Sequence, residues 1–162
     1  MKKFFQDLKF NPEQKIVVSD KILLDKRKYP QTKLNFKPNG FWYGCGKAWI
    51  DWCLSEDFHL GNYIYELKLK KNILNIKNFQ ELISFDEEYK KPILENKDYS
   101  SYTIDWNKVA LKYDGLEINP YIYKARFSHV WYYGWDCASG CIWNTSIIEE
   151  IKLIGENYEC RV

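Results

Sequence analysis

From Asn62 to Lys70 the chain alternates without a break. Tyr63, Tyr65, Leu67 and Leu69 fall on one side, and Ile64, Glu66, Lys68 and Lys70 on the other. A period of two predicts a strand over 62–70. Lys15 to Leu24 is a β-branched, apolar run bounded by charge and reads as one strand, or as two short ones around Ser19-Asp20. Phe41-Trp42-Tyr43 follows a Pro-Asn-Gly turn signal and predicts a short strand. Ile73–Ile76, Leu116–Asn119 (stopped by Pro120) and Gly140–Trp143 complete the apolar strand candidates, with 152–154 and 158–161 as closing strands.

Helical spacing appears in three places. Trp49, Trp52 and Cys53 stand at i, i+3, i+4 within 47–55, so one face is apolar. Asn78 precedes a helix over 79–90 in which Phe79, Leu82 and Ile83 line up, and an Asn there caps the free N–H groups of the first turn. Asp105 does the same for 106–113, where Trp106, Val109, Ala110 and Tyr113 share a face and Asp114-Gly115 ends the helix. Asn144 or Thr145 caps a further turn carrying Ile147, Ile148 and Ile151. Residues 1–14 read as an arm or short helix, 25–35 and 91–103 as loops, and 121–130 shows no period. The pattern predicts one α+β domain over 1–162.

Composition adds one strong feature. Aromatic residues make up 18% of the chain, and 131–144 alone holds Trp131, Tyr132, Tyr133, Trp135 and Trp143 with two Cys and two Gly. Rings at that density form either a packed core or the wall of a pocket. Charge adds little: 24 Lys+Arg against 22 Asp+Glu leave +2, which is not the profile of a strongly basic nucleic-acid binder. No run reaches the ~20 apolar residues of a membrane helix. The first residues lack the apolar core of a secretory signal. With five cysteines, an odd number, the expectation is an intracellular, reducing setting with free thiols and no membrane partner.

Several groups qualify as candidate chemistry. The spacings Cys45-x7-Cys53 and Cys137-x3-Cys141 fit paired zinc knuckles poorly, and buried thiols are the plainer reading. A pairing of His129 with Cys137 or Cys141 lacks a third member. Gly44-Cys-Gly46 ahead of a helix is either an anion-binding turn or simply a tight one. Lys68, Lys70 and Lys71 read as a solvated strand face. Glu117, at the start of a short strand, either projects into a cleft or is solvated. Asp136 between Trp135 and Cys137 is either a desolvated functional carboxylate or the acceptor of an Asx turn over 138–140.

The order of elements resembles the ADP-ribosyltransferase fold, poly-ADP-ribose polymerase catalytic domains included. The resemblance rests on Gly40-Phe-Trp-Tyr43, the helix Lys47-Ala-Trp-Ile-Asp-Trp-Cys53 and the strand Tyr63–Leu69. It extends to the late strand Gly140-Cys-Ile-Trp-Asn-Thr-Ser-Ile-Ile148 and the opening strand Ile16-Val-Val-Ser-Asp20. It implies a split, mostly antiparallel sheet with about three short helices. It also implies NAD as substrate and transfer of ADP-ribose to a protein or nucleic-acid acceptor. Tyr43 falls where the family has its nicotinamide-side residue and Ser19 where it has His or Arg. Ser139, or nearby Asp136, falls where it has its catalytic Glu. Serine carries no charge, so Asp136 or Glu117 would have to stabilise the developing oxocarbenium ion. Trp42 and Tyr43 would stack on the ring, with Trp49 on the helix behind, and Ser139 and Asn144 would orient the ribose. The alternative is a non-catalytic module that binds a nucleotide, nucleic acid or peptide in the same aromatic pocket.

Overall fold

The alternating stretch is a strand and lies next to the edge of a seven-stranded sheet in a computed structural model that describes residues 2–21, 27–32, 35–70, 72–93 and 102–157. The strands are β1 (Lys15–Ser19), β2 (Phe41–Cys45), β3 (Tyr63–Leu69), β4 (Ile73–Ile76), β5 (Lys90–Pro92), β6 (Tyr102–Ile104), β7 (Gly115–Ile118), β8 (Ser139–Ile142) and β9 (Ile148–Glu156). The large sheet runs β4-β7-β8-β2-β1-β3-β9, with β5 and β6 forming a separate ribbon. Every pairing is antiparallel except β4 with β7.

The ribbon β5–β6 replaces part of the loop expected over 91–103. Lys90, Lys91 and Pro92 pair with Ile104, Thr103 and Tyr102. A two-stranded ribbon consists of edges, which is where a strand tolerates proline. The unclear 121–130 region and the residues after it wind into two 3₁₀ turns, Tyr123–Phe127 and Val130–Tyr132. The closing strand expected over 158–161, and Lys71 and Cys160, lie outside the described residues.

Among the described residues four α-helices flank the sheet: α1 (Lys2–Asp7), α2 (Ala48–Ser55), α3 (Phe79–Tyr89) and α4 (Trp106–Ala110). α1 and α2 bring Phe5, Ile50 and Cys53 onto Ile16 and Ile64. α3, α4 and the 3₁₀ segment bring Leu82, Phe85, Trp106, Val109, Trp131, Tyr132 and Trp135 together with Leu116 and Ile118 of β7. Each large ring or aliphatic chain removed from water there contributes about 1.5–3 kcal/mol. A third cluster holds Tyr43, Leu67, Ile142 and Ile148, and it is joined by Ile73 of β4 and Ile151 of β9. Both edge strands thus reach one apolar cluster, so the sheet curls toward itself.

The sheet is split at its centre. β1 stays on β3 from Lys15–Leu67 to Ser19–Tyr63, and β2 stays on β8 from Phe41–Ile142 to Gly44–Ser139. β1 and β2 meet at Lys15–Cys45 and Ile16–Gly44 and then part. No helix among the described residues is long and apolar enough to cross a membrane.

Candidate functional site

A cleft of about 280 Å³ opens where β1 and β2 part. Ile16, Val17 and Val18 of β1 line one side, and Trp42, Tyr43 and Gly44 of β2 the other. α2 contributes Trp49, and the link into β8 contributes Asp136, Cys137 and Ser139, with Lys37 completing the wall. Gly44 is needed here. A Cβ at this position would come within 2.7 Å of Trp49 Cβ, so only glycine lets α2 sit this close to the strand.

The two tryptophans are held from behind. Trp42 meets Trp135 edge to face, with centroids 5.0 Å apart. Trp49 stacks on Trp52 at 5.0 Å and 15°, and Phe58 touches both. Lys37 Nζ lies 5.3 Å from the Trp42 ring centroid and 3.8 Å from Asp136 Oδ2. Both partners of that pair are partly exposed, so water screens it and it contributes little to stability. The cleft therefore offers two flat apolar surfaces, one carboxylate and one ammonium group. Ser139 Oγ donates to Cys137 O at 3.1 Å, which shapes the link between Asp136 and β8.

Glu117 does not line this cleft. It is buried in β7, and its Oε2 accepts from both Tyr43 Oη and Lys15 Nζ at 2.7 Å. Charge pairing and two hydrogen bonds to one oxygen make the buried carboxylate tolerable. Trp42 and Tyr43 therefore diverge, as neighbours in a strand do. The Trp42 ring belongs to the cleft wall, whereas the Tyr43 phenol crosses Gly140 to reach Glu117. Burial, then the Glu117 charge, raises the Tyr43 pKa well above its ordinary value, so the hydroxyl stays a donor.

Two further expected residues stand outside the cleft. Ser19 Oγ donates to Lys21 O in a local turn at the end of β1. Asn144 caps the 3₁₀ turn Thr145–Ile147, accepting from Ser146 N–H, and donates to Asp114 Oδ1 at 2.8 Å. It follows the opposite end of β8 from Ser139, so it acts in the fold rather than beside the tryptophans. Lys37 and Lys15, the two cations of the region, carried no sequence signal. Nothing local distinguishes them from the chain's other lysines.

Cys45, Cys53, Cys137 and Cys141 are buried free thiols. Burial, and after it the Asp136 charge, pushes Cys137 up to about 12, so it is protonated at neutral pH and unsuited to nucleophilic work. His129 bonds Ser128 Oγ and meets Phe79 edge-on, away from any thiol pairing. Among the described residues no group of His, Cys, Asp and Glu is arranged to hold a metal ion. Compared with protein-family models, with curated proteins and with solved structures, the chain matches none.

Proposed function

We propose that the protein is an ADP-ribosyltransferase-like enzyme that takes the nicotinamide–ribose end of NAD into the cleft between β1 and β2. The observation that supports this is convergence. Trp42 and Trp49 from one part of the chain and Asp136 and Ser139 from another line one cleft at the parting of a split sheet. About 280 Å³ suits a ring with its sugar rather than a whole dinucleotide. The oxidised nicotinamide ring is cationic, and indole faces attract flat cations. As the bond from ribose C1′ to the ring nitrogen breaks, its electron pair leaves with nicotinamide and positive charge grows on the sugar. Asp136 is the carboxylate positioned at the cleft to stabilise that charge, in surroundings drier than bulk water. A protein or nucleic-acid acceptor then bonds to C1′ and releases its proton.

A second reading, binding of a nucleotide, nucleic-acid base or peptide side chain without turnover, is favoured by one contact. Lys37 lies 3.8 Å from Asp136 and offsets part of the charge that transfer would use. Tryptophan fluorescence during an NAD titration, combined with an assay for released nicotinamide, separates the two. Wild type is expected to bind and release nicotinamide. Asp136→Asn should bind within about threefold of wild type yet release nicotinamide roughly 100-fold more slowly. Binding with no release by wild type supports the second reading. No binding of NAD, ADP-ribose or mononucleotides overturns the transferase reading and the nucleotide form of the second.

A further inference from the structure

Most of the described rings are buried or half-buried, but the 3₁₀ segment and Tyr133 after it keep a group of them in water. Tyr123 is 65% exposed, Phe127 70%, Val130 54% and Tyr133 58%. Exposed apolar groups gathered on one short segment mark an interaction surface. Between Ile118 and Trp135 the chain has Lys124 and Arg126 and no Asp or Glu, although the chain as a whole is nearly balanced.

The two cations are held by rings. The Arg126 guanidinium lies 4.9 Å from the Tyr133 ring centroid, and Lys124 Nζ lies 4.7 Å from that of Phe79. Among the described residues neither pairs with a carboxylate. Asp86, on neighbouring α3, accepts from Trp131 Nε1, and Asp136 has Lys37. The surface is also braced from beneath. Ile122 N–H donates to the buried Tyr132 hydroxyl at 3.1 Å, and Tyr121 Oη donates to Trp135 O at 2.7 Å. The exposed rings therefore sit on a backbone fixed by the core, and little ordering remains to be done on binding.

We propose that Tyr123, Phe127 and Tyr133, with Lys124 and Arg126, form a docking surface for single-stranded nucleic acid. Unpaired bases expose flat faces that stack on such rings whatever their sequence, and the two unneutralised cations match the phosphates between them. A duplex hides its base faces and offers only its phosphates. A protein partner would also cover rings and cations, but the absence of Asp and Glu over 119–134 favours a polyanion. The inference does not depend on what the cleft binds.

Fluorescence anisotropy with a labelled 20-mer of dT or rU, and with a duplex of equal length, tests it on the full chain. The single strand is expected to bind more tightly than the duplex. Phe127→Ala and Tyr123→Ala change exposed positions, and circular dichroism is expected to show the fold intact. Each should weaken binding about 5- to 100-fold. Replacing Lys124 and Arg126 together by Ala should lower the slope of log affinity against log salt by about 1.4. Equal affinity for duplex, no binding to either single strand, or insensitivity to both ring substitutions would overturn the proposal. So would a dimer in sedimentation that dissociates on Phe127→Ala, which would assign the rings to a contact between two copies.

Discussion

A Cβ on Gly140 would collide with the Tyr43 ring and its hydroxyl. The missing side chain is what lets the phenol pass across β8 from β2 to Glu117 on β7. Gly140→Ala is therefore expected to cost about 2 kcal/mol or more, through overpacking and a weakened hydrogen bond to a buried carboxylate. Tyr43→Phe removes the bond without the collision and should cost about 1.5 kcal/mol, since Lys15 still pairs with Glu117. Urea unfolding of the two variants checks the order, and a Gly140→Ala variant as stable as wild type would refute it. At this scale the sequence set Asp136 beside Trp135 and Cys137 but gave no sign of Lys37, which stands 3.8 Å away. That Glu117 belongs with Tyr43 and Lys15 was not legible. Residues 102 positions apart meet only through strand order.

Among the elements, the capped starts of α3 and α4 came out as read, but α4 stops at Ala110 rather than 113, and Ile148 and Ile151, expected in a helical turn, belong to β9. Asn78 Oδ1 accepts from Glu81 N–H at 2.9 Å, and Glu81 returns a carboxylate oxygen to Lys77 N–H at 2.7 Å. Asn78→Ala should destabilise the protein by about 1 kcal/mol while Asn78→Asp keeps most of the stability, measured by thermal or urea unfolding. Asp105 caps α4 in the same way, accepting from Lys108 N–H. Caps and alternation act over three or four residues, so a sequence displays them. The ribbon β5–β6 displays neither. Lys-Lys-Pro has poor strand propensity and becomes a strand only because Tyr102–Ile104 lies alongside it. The 3₁₀ turns of 121–133 have no period to detect, although they carry the exposed rings.

For the molecule as a whole, the buried thiols and phenols give a pH dependence with a definite sign. Burial is the main cause at each group. It raises Tyr43, Tyr132, Cys45 and Cys141, and pushes Cys53 up to about 11 and Cys137 to about 12. The ordinary thiol value is 9.0, so between pH 9 and 12 the unfolded chain has lost protons that the folded chain retains. Stability is then full below about pH 9 and falls as pH rises through that window. A melting temperature that stays constant from pH 9 to 11 in the presence of reductant would contradict this. The amino-acid sequence by itself determined the α+β class, most strands, the helix caps and an aromatic centre near 131–144, because periodicity, capping and ring density are local properties of the chain. It did not determine that β1 and β2 part after two pairs, that Lys37 stands by Asp136, or that Asn144 caps a turn at the other end of β8. Those follow from which strands become neighbours and where they separate, a matter of long-range pairing. The cleft exists only at that separation.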